Sequence, residues 1–397
     1  MYNAALHQRL RRLRSPQQFL DLLHALRLAD CTGLDDIEPR YWTLRELRVF
    51  ASPWIPFRYH SFEIPKKSGG VRRISAPART KYRVLLYYVN QLLKSIYKPN
   101  DYAMGFVAGR SIVSNAAQHL GQNYVYNIDL KDFFPSITES RIRQRLRSAP
   151  YELSELAACL ISGLATMSQS SRDVDTDKQV VRYVLPQGSP ISPILTNIVC
   201  ERLDRRLAGL AKRFGLRYSR YADDITFSSS HNVYHTGGDF DLELRRIIAN
   251  QGFAINEGKV RLQKRGARQE VTGLRVGERV NVSKDYIRSL RSILYIWERY
   301  GYADASDKFR KAYMLEKAGQ IKGEPSMEAV LGGKLQFLRM VRGAEDKVYC
   351  RLAETYQRLL AELRGVGVEE IKVEPLLSPD ATDALHNLSL CLDEVLS

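Results

Sequence analysis

Cysteine is scarce in this chain of 397 residues: there are five, Cys31, Cys159, Cys200, Cys350 and Cys391, with no Cys-x-x-Cys pair among them. That spacing supports neither a zinc site nor a disulfide framework. Long apolar runs are missing as well. Nothing approaches the roughly 20 residues of a membrane span, and the opening stretch MYNAALHQRLRRLRS lacks the apolar centre of a signal peptide. The sequence therefore predicts a cytoplasmic protein with no membrane partner. The segment Leu331-Gly332-Gly333-Lys334 lacks the upstream glycine and the following Ser or Thr of a phosphate loop. His231 and His235 have an i, i+4 spacing without a glutamate between them, in a polar loop, which argues against a zinc-protease pair. No internal repeat or low-complexity tract occurs, and the length suffices for several lobes with a real core.

Acids are also in the minority, with Asp+Glu 44 against Lys+Arg 60 and a formal charge of +16. Such an excess favours a polyanionic partner, and the 22 tyrosines and 13 phenylalanines offer faces on which unpaired bases stack. The excess is uneven. Residues 366–397 hold seven acids and one base, so this tail carries −6 and the remainder +22. An acidic tail on a basic body is expected to touch protein rather than nucleic acid.

The acids that remain are placed tellingly. Tyr221, Ala222, Asp223 and Asp224 set two adjacent carboxylates at the tip of a predicted β-hairpin, between Arg217–Tyr221 and Ile225–Ser229. An apolar-flanked turn is a poor place for two like charges unless a cation neutralises them, although Asp is also an ordinary turn former. Upstream, the first half of the segment Tyr124–Pro135 is rich in β-branched and aromatic residues and reads as a short buried strand with Asp129 at its end. If that strand lies beside the hairpin, Asp129 and Asp223 converge with Asp224 close by. The result is an all-oxygen site suited to Mg²⁺.

Four segments in order, NIDLKDFFPSI (127–137), LPQGSPISPILTN (185–197), RYADDITFS (220–228) and GFAINEGK (252–259), resemble the palm motifs of a reverse transcriptase. The hairpin-like run Phe62–Ile74, with Ser68-Gly69-Gly70 at its tip, resembles that family's fingers hairpin. Asn115-Ala116-Ala117-Gln118-His119 and Val271-Thr272-Gly273 resemble the NAxxH and VTG signatures of retron reverse transcriptases, bacterial enzymes that copy part of their own structured RNA into a branched RNA–DNA hybrid. Taken alone, His119 reads as a packed or capping residue.

The resemblance implies an α+β right-hand polymerase fold: an N-terminal helical segment 1–51, fingers 52–122, a palm 123–282 of antiparallel sheet and helices, a helical thumb 283–365, and the tail 366–397. It implies an RNA-directed DNA polymerase with two Mg²⁺ held by Asp129, Asp223, Asp224 and the Leu130 carbonyl. Nucleotide contacts are expected from Lys66, Lys67 and Arg72, whose charges bracket the tip, and from the backbone near Asp132 and Phe133. Phe134 is expected as a steric gate against the ribose 2′-hydroxyl, Gln187 as a buttress of the nascent pair, and Lys259 as a proton donor to pyrophosphate. Asn115, His119, Val271, Thr272 and Gly273 are expected to read or prime on the cognate RNA. The implied partners are that RNA, its msDNA product, deoxyribonucleoside triphosphates, and an effector or toxin protein restrained during antiphage defence. Two alternatives stay open on the sequence: another bacterial reverse transcriptase class, such as a group II intron, diversity-generating or other defence type, and a catalytically silent RNA-binding scaffold.

Periodicity fills in the rest. Ser15-Pro16 opens a helix to about residue 27, and another is predicted over 43–51. Ile287, Leu290, Leu294 and Trp297 form an apolar stripe, and helical runs follow over 304–318, 327–342 and 346–364. A strand pair, 271–276 with 279–282, is expected to turn at Gly277-Glu278 as a primer grip.

Overall fold

The computed structural model describes residues 3–30, 41–66, 69–172, 178–316 and 323–365. Lys67, Cys31, Cys391 and the acidic tail lie outside the described residues.

Three helices come first: α1 (Ala4–Arg11), α2 (Pro16–Asp30) and α3 (Leu44–Phe50). Pro16 stands at the first helical position, where its missing N–H costs nothing, and Ser15 Oγ accepts the N–H of Gln18. Thr43 and Glu46 close a capping box on α3, so its start was readable. Next is the hairpin β1 (Tyr59–Pro65) and β2 (Val71–Pro77), antiparallel with Phe62 opposite Ile74. Helices α4 (Thr80–Ile96) and α5 (Ile112–Ala117) lead into β3 (Tyr124–Lys131). After α6 (Glu139–Arg147) and α7 (Glu155–Ala165) comes a ribbon, β4 (Met167–Arg172) and β5 (Gln179–Val184), then the long α8 (Ser192–Arg213).

The central sheet is completed by β6 (Arg217–Tyr221) and β7 (Asp224–Ser229) and, after α9 (Asp239–Asn250), by β8 (Ala254–Ile255) and β9 (Arg261–Lys264). Every pairing is antiparallel, in the order β6-β7-β3, with β8 and β9 both along the far edge of β3. β3 has strand neighbours on both edges, and its Val125, Tyr126, Ile128 and Leu130 are buried.

The chain then forms β10 (Glu270–Val271), β11 (Leu274–Arg275) and four helices, α10 (Lys284–Tyr300), α11 (Tyr302–Glu316), α12 (Met327–Arg342) and α13 (Lys347–Arg364). Leu290, Leu294 and Trp297 are buried, and Ile287 packs at the edge of the same cluster, as the stripe predicts.

Two apolar clusters result. One joins the first helices, α4, the central sheet and α6–α9; the other runs from Val271 to Leu360 and takes in Ala116 and Val125. Residues 271–282 thus pack with the C-terminal helices. The expected pairing of 271–276 with 279–282 shrinks to one bridge, Arg275 with Asn281. The tight hairpin falls earlier, at Thr272-Gly273, because both residues take positive φ (47° and 78°), the backbone of a type I′ turn. No helix among the described residues is long and apolar enough to cross a membrane.

Candidate active site

The hairpin β6–β7 closes with Tyr221 opposite Asp224, leaving Ala222 and Asp223 as a two-residue turn. Ala222 has φ 56°, a conformation that costs a non-glycine residue about 1–3 kcal/mol and persists only where its surroundings impose it. Those surroundings include Gly105, where a Cβ would lie 2.8 Å from the Ala222 nitrogen. The segment 102–105 runs beside β6, Met104 N–H donating to Arg220 O (2.7 Å) and Arg220 N–H to Tyr102 O (2.8 Å).

Register sets Asp129 directly across from Asp224, and Leu130 N–H donates to Asp223 O (3.1 Å). Strand pairing thus sets Asp129 beside Asp224, with Asp223 in the adjoining turn. Asp129 is buried, and both its oxygens are taken: Lys259 Nζ lies 2.7 Å from Oδ2 and Asn256 Nδ2 donates to Oδ1 at 3.0 Å. Burial raises the Asp223 carboxyl above the usual range, with the Asp129 charge adding, while Lys259 and Arg72 oppose the shift. Asp224 is pushed up to about 6 by desolvation in the crowded cleft and by the charges of Asp223 and Asp129. Its surface is exposed, so the repulsion from its two neighbours is the cause that weighs most.

Among the described residues, no three His, Cys, Asp or Glu side chains stand close enough together to form a metal-binding group. At Asp129 the lysine ammonium supplies the countercharge. The donor set nonetheless fits a hard divalent cation: three carboxylates on adjacent strand ends whose mutual repulsion a cation would relieve. Leu130 could contribute only its backbone carbonyl, since its aliphatic side chain has no donor atom.

Of the residues expected to contact the nucleotide, Arg72 and Lys259 act on the carboxylates through their charges. Lys66 and Arg72 are exposed on the β1–β2 hairpin, and the charge of Arg72 reaches Asp223. Asp132 is exposed with φ 46°, and its carbonyl accepts both the N–H and the hydroxyl of Ser136 at 2.8 Å, folding 132–136 into a tight loop. Phe133 points into the core and stacks on Phe253, whereas Phe134 is half-buried beside it. Gln187 O accepts the N–H of Ser75 (2.8 Å), and Gly188 takes φ 120° against Ile74 and Ser75, docking this loop on β2. Lys259 belongs to a short 3₁₀ turn and its ammonium is engaged with Asp129.

Of the signature residues, Asn115, His119 and Val271 are buried. His119 follows α5 and bridges the two hairpin strands, Nδ1 to Ser228 Oγ (2.7 Å) and Nε2 to Ser219 Oγ (2.8 Å). Ser219 Oγ donates to Asn115 Oδ1 (2.7 Å), and Asn115 Nδ2 lies 3.5 Å from Thr272 Oγ1. Burial, aided by the Arg217 charge, holds His119 down at about 3, so it is neutral. The NAxxH and VTG signatures thus tie α5 and the Thr272-Gly273 turn to the β6–β7 hairpin. Thr272 is half-buried and Gly273 exposed, as is Ala117 within the first signature.

Sequence reasoning passed over Asn256, Arg261, Gly105 and Arg220. Asn256 stands within the quoted GFAINEGK, and Arg261, whose charge opposes the rise at Asp224, follows it by a few residues. Gly105 and Arg220 gain meaning only from contacts across the fold.

The chain belongs to the reverse transcriptase (RNA-dependent DNA polymerase) family, whose sequence profile matches residues 64–276. The elements above form its right-hand polymerase fold, and dependence on a divalent metal goes with the family in general. Within the family the chain is of the retron type. It is 39% identical over 251 residues to the retron Mx65 reverse transcriptase of Myxococcus xanthus, covering 60% of this chain and 55% of that protein. It is 32% identical over 305 residues to the retron Mx162 reverse transcriptase of the same organism, covering 69% of this chain and 62% of that protein. It is 32% identical over 243 residues to the retron Ec86 reverse transcriptase of Escherichia coli, covering 60% of this chain and 70% of that protein.

Proposed function

We propose that this chain is an RNA-directed DNA polymerase that copies part of a cognate structured RNA into a branched RNA–DNA hybrid, starting from an RNA 2′-hydroxyl. The observation that carries the reading is the register of Asp129 against Asp224, with Asp223 at the intervening turn and opposing charges from Lys259, Arg72 and Arg261 around them. Two Mg²⁺, bound by Asp129, Asp223, Asp224 and the Leu130 carbonyl, would activate the attacking hydroxyl and stabilise charge on the triphosphate in an in-line displacement.

The chain's own residues do the rest. Lys66 and Arg72 draw the triphosphate toward the carboxylates, Arg72 through a planar fork that can hold two oxygens at once. The loop at Asp132 and Phe133 presents backbone to the phosphates. Phe134 closes the space beside the sugar 2′ position, and Gln187, fixed through its own carbonyl to β2, supports the nascent base pair. Lys259, once released from Asp129, would deliver a proton to the leaving pyrophosphate. An effector protein would complete a defence system built on the hybrid. Sequencing the nucleic acid that copurifies with the full chain tests the reading: a species with a 2′–5′ branch joining RNA to DNA supports it, and linear RNA alone contradicts it.

A further inference from the structure

Behind the carboxylate turn lies a buried ion pair that the reaction scheme above does not use. Arg220 and Asp204 have no exposed side-chain surface. Their contact is bidentate, Nε to Oδ1 at 2.7 Å and Nη2 to Oδ2 at 2.8 Å. Tyr218 OH donates to Oδ1 (2.8 Å) and Asn100 Nδ2 to Oδ2 (3.0 Å), so each oxygen of Asp204 accepts two bonds. The rest of the guanidinium points forward. Nη1 donates to the carbonyl of Ala222 (3.1 Å), and Nη2 to Asn197 Oδ1 (3.2 Å), whose own Nδ2 donates to Gly105 O (2.9 Å).

A buried ion pair is weak as a stabilising device, since well-packed apolar residues of similar volume often do as well or better. What this one adds is direction. Because the peptide unit is planar, fixing the Ala222 carbonyl also fixes the nitrogen of Asp223. From this geometry we infer that Arg220, braced by Asp204 and Asn197, is the positioning residue that sets the pose of Asp223. Ala222 sits in a left-handed conformation that its side chain does not favour, so the pinned carbonyl is what keeps the turn in one shape. The same guanidinium couples the turn to α8 through Asp204 and Asn197, and to the 100–105 segment through their partners Asn100 and Gly105. The inference rests on the proposed polymerase reading for its consequence in catalysis, but its structural part stands apart from it.

Two variants of the full chain test it. Arg220→Met with Asp204→Leu removes both charges together and keeps apolar bulk, leaving no orphaned ion. Arg220→Lys keeps the charge opposite Asp204 but loses the fork that spans Asp204, Asn197 and the Ala222 carbonyl. Both are measured for hydrogen–deuterium exchange at the Leu130 amide, which donates to Asp223 O, for Kd of a primer–template, and for kcat and KM of extension. Exchange at Leu130 is expected to rise about tenfold or more, with none at Leu338 in α12. Primer–template Kd and nucleotide KM are expected to stay within about threefold, while kcat falls about 100-fold, the usual consequence of displacing a reacting group by about 1 Å. The inference is overturned if either folded variant keeps wild-type exchange at Leu130 and wild-type kcat. Should the double variant fail to fold, Arg220→Lys alone decides. Absence of DNA synthesis by the unaltered chain would refute the polymerase reading, and the exchange data would still judge the clamp.

Discussion

Gly105→Ala adds one methyl group at the back of the carboxylate turn. Its Cβ would lie 2.8 Å from the Ala222 nitrogen and 3.3 Å from the carbonyl carbon and Cα of Tyr221, all backbone atoms. Ordinary contact begins at 3.4 Å, so one side must move by about 0.6 Å. Gly105 cannot easily retreat, since its carbonyl is held by Asn197 Nδ2 at 2.9 Å. The turn therefore moves. Overpacking of this kind costs about 1–3 kcal/mol, read as a fall in melting temperature of several degrees on the scale of about 2–4 °C per kcal/mol for a domain of this size. Displacing reacting groups by about 1 Å costs about 100-fold in rate, and the smaller shift here should lower kcat by about 10-fold. Primer extension on an RNA template measures it. Gly209→Ala is the control: Gly209 lies in α8 with nothing within 4 Å of an added Cβ, so the change should leave kcat alone and stabilise by about 0.5–1 kcal/mol. A Gly105→Ala chain with the melting temperature and kcat of the unaltered chain would refute this reasoning.

Phe134→Ala should raise ribonucleotide incorporation relative to deoxyribonucleotide, and an unchanged ratio would move the gate elsewhere. His119→Leu takes the side-chain partner from the Ser228 hydroxyl and one of two from that of Ser219, which keeps Asn115, at a cost of about 1–3 kcal/mol. Because His119 is buried, extension should fall equally on the cognate RNA and on a generic primer–template; a defect confined to the cognate RNA would restore the role in RNA recognition that the motif alone implies. In metal-free buffer, Asp224 binds its proton more tightly folded than unfolded, so its contribution to stability is full below about pH 4 and is lost as pH rises through about 6. The chain should therefore show a melting-temperature loss between pH 4 and 7 that is smaller in Asp224→Asn, and equal slopes would contradict the assigned shift.

Local chemistry made the carboxylates legible. Asp129 ends an apolar strand and Asp223-Asp224 sit at a hairpin tip, and both facts lie within a dozen residues of sequence. The helical stripe over Ile287–Trp297 was readable for the same reason. What the sequence could not reveal depends on which distant segments meet. Arg220 reads as one more basic residue until Asp204, sixteen positions earlier, and the Ala222 carbonyl close around it. The 271–282 strand pair misled because Gly277-Glu278 looked like the turn, while Thr272-Gly273 had the better backbone chemistry for it. That His119 is buried was not legible from its motif, since it follows from contacts with Ser219 and Ser228 on strands about 100 residues away.

The central claim is that Asp129, Asp223 and Asp224 form the centre of a metal-dependent polymerase. Extension of a primer on an RNA template with deoxyribonucleotides and Mg²⁺, by the unaltered chain and by Asp223→Asn, tests it most directly. The account predicts synthesis by the first and a loss of at least about 1,000-fold by the second, with the same melting temperature within a few degrees. Comparable synthesis by a folded Asp223→Asn chain, or none by the unaltered one, would contradict it.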